Sequence, residues 1–170
     1  MKICPGLAEG EYILVLLSVK NRPGTIRIMT LKNKEQRVAV FIDVQNLYHS
    51  AKNIYQARVN FGEILKVAVS GRKLIRAFAY VVRTKTGEEK PFFDALTNLG
   101  IETRVKDLQE YFGGLKKADW DVGIAVDAIK TSDGVDVSII VSGDGDYVPL
   151  VEYLKNHGKR VEAIAFGKST

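Results

Sequence analysis

From Arg37 onward, short runs of β-branched residues alternate with amphipathic stretches, the pattern of βα units building a parallel sheet. The expected strands are Val38–Ile42, Lys73–Val82, Ile101–Lys106, Val135–Val141 and Arg160–Phe166. The expected helices are Gln45–Ala57, Phe61–Val69, Glu89–Leu99, Trp120–Lys130 and Tyr147–Asn156. Gly100 and Gly158 stand where helices stop, and Pro149 stands where a missing N–H costs little. Five strands with helices between them predict a doubly wound α/β domain over residues 37–170.

The 170 residues suffice for one well-packed core with an extension, not for two domains of ordinary size. No apolar run reaches the roughly 20 residues that span a bilayer, so a membrane partner is not expected. Cys4 is the only cysteine, and it can build neither an internal disulfide nor a cysteine metal cage. That fits a reducing cytosol, and cytoplasmic residence is expected. The net charge is +5, but residues 1–36 hold six Lys/Arg against three Asp/Glu, so the main domain is nearly balanced. Charge by itself therefore does not name a polyanionic partner.

Residues 1–36 read as an N-terminal extension. Tyr12–Val19 and Thr25–Leu31 are strand-like and flank a turn-prone Asn21-Arg22-Pro23-Gly24, which admits an extra hairpin. The preferred reading is a loosely attached segment or a misplaced start, with Met29 the true one.

Three acidic clusters carry the chemistry. Asp43 ends the first strand and Asn46 lies one helical turn later, at the sheet edge where α/β proteins bind ligands; either residue could instead simply cap the next helix. Ser142-Gly143-Asp144-Gly145-Asp146 follows an apolar strand and precedes a helix, and two carboxylates on one tight turn repel unless a cation lies between them. A cap would need only one of them. Asp121 opens a largely apolar helix and Asp127 lies within it; six residues apart, they point about 120° away from each other. Asp121 is the better inner ligand, and Asp127 an outer or substrate-side group. Asp43, Asp121, Asp144 and Asp146 together offer the oxygen ligands that suit Mg²⁺ or Mn²⁺ and phosphodiester cleavage.

The strings "VAVFIDVQNLY", "KKADWDVGIAVDAI" and "VSGDGDYVPLVEYLKNHGKRV" resemble the NYN domain family, in its LabA-like branch of the PIN-like nuclease superfamily. The resemblance covers Arg37 to Gly167, and Ser-Gly-Asp-x-Asp-Tyr-x-Pro-Leu is its most specific part. It implies a three-layer, PIN-like (Rossmannoid) fold with a five-stranded parallel sheet of order 3-2-1-4-5 and helices on both faces. Asp43 and Asp144 would then face each other. It further implies a metal-dependent ribonuclease site of Asp43, Asn46, Asp121, Asp144 and Asp146, supported by Ser142, Asp127 and Lys117. A haloacid-dehalogenase-type site would need an aspartate at Gln45, and a dinucleotide site would need glycines between Asp43 and Asn46. The rival that survives is a non-catalytic RNA- or metal-binding regulatory module on the same fold.

Of the remaining residues, His49 and His157 read as surface or helix-end residues, and Trp120 and Tyr147 as base-stacking or packing groups at the rim. Tyr111 to Lys117 combines aromatic, flexible and basic residues, so Lys116 and Lys117 are expected to grip an RNA backbone. Homo-oligomerisation stays open.

Overall fold

The computed structural model describes residues 14–16, 33–83, 90–110, 116–117 and 119–166. The chain runs β1 (Leu14–Leu16), β2 (Arg37–Asp43), α1 (Val44–Tyr55), α2 (Phe61–Val69), β3 (Lys73–Arg83), α3 (Lys90–Asn98) and β4 (Glu102–Asp107). A small antiparallel pair follows, β5 (Gln109–Glu110) with β6 (Lys116–Lys117), then α4 (Asp121–Ser132) and β7 (Val137–Val141). A 3-10 turn over Gly145–Tyr147, α5 (Val148–Asn156) and β8 (Arg160–Ala165) complete it. None of the described helices is long and apolar enough to cross a membrane.

The main sheet has the order β1-β8-β7-β2-β3-β4, with every pairing parallel. Counting only the five strands expected from sequence, the order is 3-2-1-4-5. Successive residues of β2 alternate between two cores. Val38, Val40 and Ile42 pack with Leu47 of α1, Ile64 of α2 and Leu96 of α3. Ala39 and Phe41 pack with Ile124 and Ala128 of α4 and Leu150 and Leu154 of α5. Because helices cover both faces, six of the seven residues of β2 and all five of β7 are buried. That is why these strands read as continuous apolar runs.

Helix ends follow local chemistry. Asp43 accepts from the N–H of Asn46 at the start of α1, and Asn60 accepts from that of Glu63 at the start of α2. Gly100 and Gly158, at φ 76° and 73°, close α3 and α5 in the left-handed region that glycine enters without strain. Gln56 and Ser70 take up the same region after α1 and α2. The sequence carries no glycine beside Gln56, whereas Ser70 is followed by Gly71, itself at φ 77°. In α4, Gly123 is required by packing, since a Cβ would lie 2.5 Å from the Trp120 ring.

β1 is the departure from the expected architecture. Leu14, Val15 and Leu16 pair with Ala163, Ile164 and Ala165 of β8, adding a sixth strand at the sheet edge. The turn that suggested a hairpin, and Met29, lie outside the described residues. Only three residues pair here, and among the described residues β1 is hydrogen-bonded to β8 alone. A protein beginning at Met29 is therefore expected to fold, with a stability loss within the few kcal/mol of ordinary single mutations. Urea denaturation of the shortened and full chains measures this, and a larger loss makes β1 integral.

Candidate functional site

The C-terminal ends of β2 and β7 lie side by side, with Ile42 opposite Val141. The chain leaves β2 toward β3 and leaves β7 toward β8, so the strand order reverses between them and opens a crevice. The residues following these two strands, together with the start of α4, build the site.

Asp121, Asp144 and Asp146 present carboxylate oxygens that all lie within 4.8 Å of one another. Asp121 is half-buried and the other two are exposed. Asp144 accepts from the N–H of Asp146 at 3.0 Å, so the turn between β7 and α5 is a capped turn that also brings both carboxylates together. Among the described residues no lysine or arginine is ion-paired with any of the three. Three like charges held this close without a basic partner are mutually destabilising, and an all-oxygen donor set suits a hard divalent cation. The residues therefore fit a metal of the Mg²⁺ or Mn²⁺ class.

Asp43 stands behind this triad. It is buried, and its carboxylate accepts from Asn46 N–H at 3.1 Å, from Ser142 Oγ at 3.2 Å and from the Tyr147 hydroxyl at 3.4 Å. Burial pushes its carboxyl up from the ordinary value, the three donors pull it down, and the nearby Asp121 charge pushes it up again. Asn46 accepts from Gly143 N–H at 2.8 Å, and Ser142 Oγ accepts from Asp144 N–H at 3.2 Å. Thus Asp43, Asn46 and Ser142 lock the junction of β2 and α1 onto the loop after β7, and Asp43 both caps α1 and joins the two segments.

Tyr147 joins the two groups of acids. Its hydroxyl donates to Asp121 at 3.0 Å and faces Asp43 at 3.4 Å, and with one proton for two carboxylates it acts as a shared bridge. Burial first, then the charges of Asp43 and Asp121, hold the phenol far above its ordinary value, so it stays a donor. At 4% exposure the ring is in the core and is not a stacking surface. The bridging hydroxyl was missed in the sequence; the only signal was a tyrosine directly after Asp146, and spacing does not reveal which way it turns.

Asp127 is not in the triad. It accepts from the Tyr80 hydroxyl at 3.0 Å and lies 3.4 Å from Arg104, on the flank of α4 that faces β3 and β4. Trp120 is also used in packing: its indole N–H donates to Val81 O at 3.0 Å, and its ring meets Tyr80 edge-on at 5.4 Å. His49 and His157 are exposed, and His157 stacks on Tyr153 at 4.1 Å. Lys116 and Lys117 form β6 opposite Glu110 and Gln109; their side chains, and Tyr111 to Leu115, lie outside the described residues.

Comparison with known proteins agrees with this architecture. The chain is 26% identical over 137 residues to the low amplitude and bright protein LabA of Synechococcus elongatus, covering 72% of this chain and 69% of that one. The fold matches a crystal structure of a protein of unknown function from Vibrio parahaemolyticus with a TM-score of 0.74 and 30% identity, covering 83% of this chain and 88% of that one. Residues 37–170 match the family model described as the NYN domain. With that match spanning most of its length, and with an acidic cluster that fits a nuclease-like role, the chain belongs to the NYN domain family.

Proposed function

We propose that the protein is a metal-dependent ribonuclease that hydrolyses RNA phosphodiester bonds at the crevice between β2 and β7. The observation that carries the reading is the convergence of Asp121, Asp144 and Asp146 within 4.8 Å, with no basic partner among the described residues. These three carboxylates would hold a Mg²⁺ or Mn²⁺ ion, with Asp43 behind them. When bound, such an ion supplies Lewis acidity and a water made acidic enough to attack phosphorus at neutral pH.

The chain's own residues do the positioning. Tyr147 fixes the orientation of Asp121 by donating to one of its oxygens. Asn46 and Ser142 hold the Gly143–Asp144 turn against Asp43, which would keep the spacing of the triad when an ion binds. Asp127 keeps Tyr80 and Arg104 in place beside the site, a positioning role. Lys116 and Lys117 contact phosphates of the bound strand.

Tyr147→Phe tests the bridge. Removing a hydroxyl that orients a metal ligand is expected to lower Mn²⁺-dependent cleavage about 10- to 100-fold while leaving the fold intact. Cleavage at the wild-type rate would reduce the hydroxyl to a core polar group. A protein that binds RNA and metal but never cuts would instead be a regulatory module on this fold.

A further inference from the structure

The outward side of α1 has properties that the acidic site does not use. Residues 44–62 contain no aspartate or glutamate, yet carry Lys52, Arg58 and His49. Tyr48 is 53% exposed, with Lys52 Nζ 5.6 Å from its ring centroid and the His49 ring edge-on at 5.6 Å. Among the described residues neither Lys52 nor Arg58 has an ion-pair partner. The helix stops at Gln56, whose left-handed backbone (φ 49°) turns the chain so that Ala57 N–H meets Ala51 O. That bend makes a shallow concavity lined by Tyr48, Lys52, Asn53, Gln56, Ala57 and Arg58.

We propose that this surface is a track for single-stranded RNA running away from the acidic site along α1; the proposal deepens the ribonuclease reading and rests on it. Asp43 caps the same helix, so the track lies on the outward side of the element that leaves the crevice. At about 1.5 Å per residue, Tyr48 lies about 8 Å and Lys52 about 14 Å along the axis from Asp43. An exposed ring offers a stacking face to an unpaired base, two cations without an ion pair among the described residues meet phosphates, and two amides serve sugar or base edges. With two cations and no carboxylate among its lining residues, the concavity is complementary to a polyanion. A paired duplex would hide its bases from Tyr48, so the track selects single strands.

The test uses the full chain in EDTA, where binding is read without cleavage, and a fluorescein-labelled oligouridylate of about 10 nucleotides, within the footprint of single-strand sites. Tyr48→Ala is expected to raise Kd about tenfold, the loss of one base stack, and Tyr48→Phe to bind like wild type. Lys52→Ala and Arg58→Ala should each make the slope of log Kd against log salt shallower by about 0.7. All three sites are exposed, so folding is retained, and thermal unfolding checks it. Tyr48→Ala with unchanged Kd, or no binding by the wild type, overturns the track. Cleavage in Mn²⁺ is measured separately. A triple Tyr48, Lys52 and Arg58 variant that cuts with unchanged KM overturns the track while leaving the nuclease reading intact. Binding that follows these residues without cleavage overturns the nuclease reading and keeps the track.

Discussion

Glu162→Leu is expected to cost about 3–5 kcal/mol of stability, because it strands a buried guanidinium without its counter-charge. Glu162 is 3% exposed and Arg72 5%. The pair is bidentate, at 2.7 and 2.8 Å, and Arg72 also donates to Ala68 O at 2.7 Å and Val69 O at 3.1 Å. Arg160 adds a second cation 3.4 Å from the same carboxylate. The pair ties the turn between α2 and β3 to β8, joining the two halves of the sheet away from the acidic crevice. Arg72→Met combined with Glu162→Leu removes both charges and should recover most of the loss, since well-packed apolar residues often replace a buried ion pair at little cost. Urea denaturation of wild type, single and double variants measures the coupling. A single variant within about 1 kcal/mol of wild type would mean that Arg72 finds water or another acceptor.

The central architecture was legible because its strands are buried on both faces. Val38–Ile42 and the largely apolar Val137–Val141 have few ways to satisfy such character except inside a parallel sheet. The observed strand Val137–Val141 begins two residues later than expected, since Asp136 faces solvent and pairs with Arg37 at 2.8 Å. Asp121, Asp144 and Asp146 were legible as a set because each sits at the junction of a strand or helix with a turn, and the fold carries those junctions to one edge. Two kinds of feature were hidden. β1 is three apolar residues pairing along one edge, and no local pattern says which strand a short segment will join. The partners of Tyr147 and Asp127 depend on side-chain directions across three elements, so the hydroxyl bridge and the Tyr80–Asp127–Arg104 contact needed three-dimensional placement.

Asp144→Asn is the variant with the largest expected effect on activity. Asparagine caps as well as aspartate, so the hydrogen bond from Asp146 N–H is retained and the apo protein should be as stable as wild type or slightly more so. What is lost is one of three charges facing the metal position. Metal should stabilise the wild type by about 2.7 kcal/mol at 100 times its dissociation constant, a readily measured rise in unfolding temperature. In Asp144→Asn both that rise and RNA cleavage should disappear, while a residue serving only as a cap would leave both unchanged.

The most direct measurement is therefore cleavage of single-stranded RNA by wild type and Asp144→Asn across a Mn²⁺ titration, ended by excess EDTA, with unfolding temperatures recorded at each point. The account predicts cleavage and a rising unfolding temperature that appear together with metal in the wild type, vanish in EDTA, and are absent throughout in Asp144→Asn. Wild-type cleavage that survives EDTA, or an Asp144→Asn protein that cuts at the wild-type rate, would contradict it.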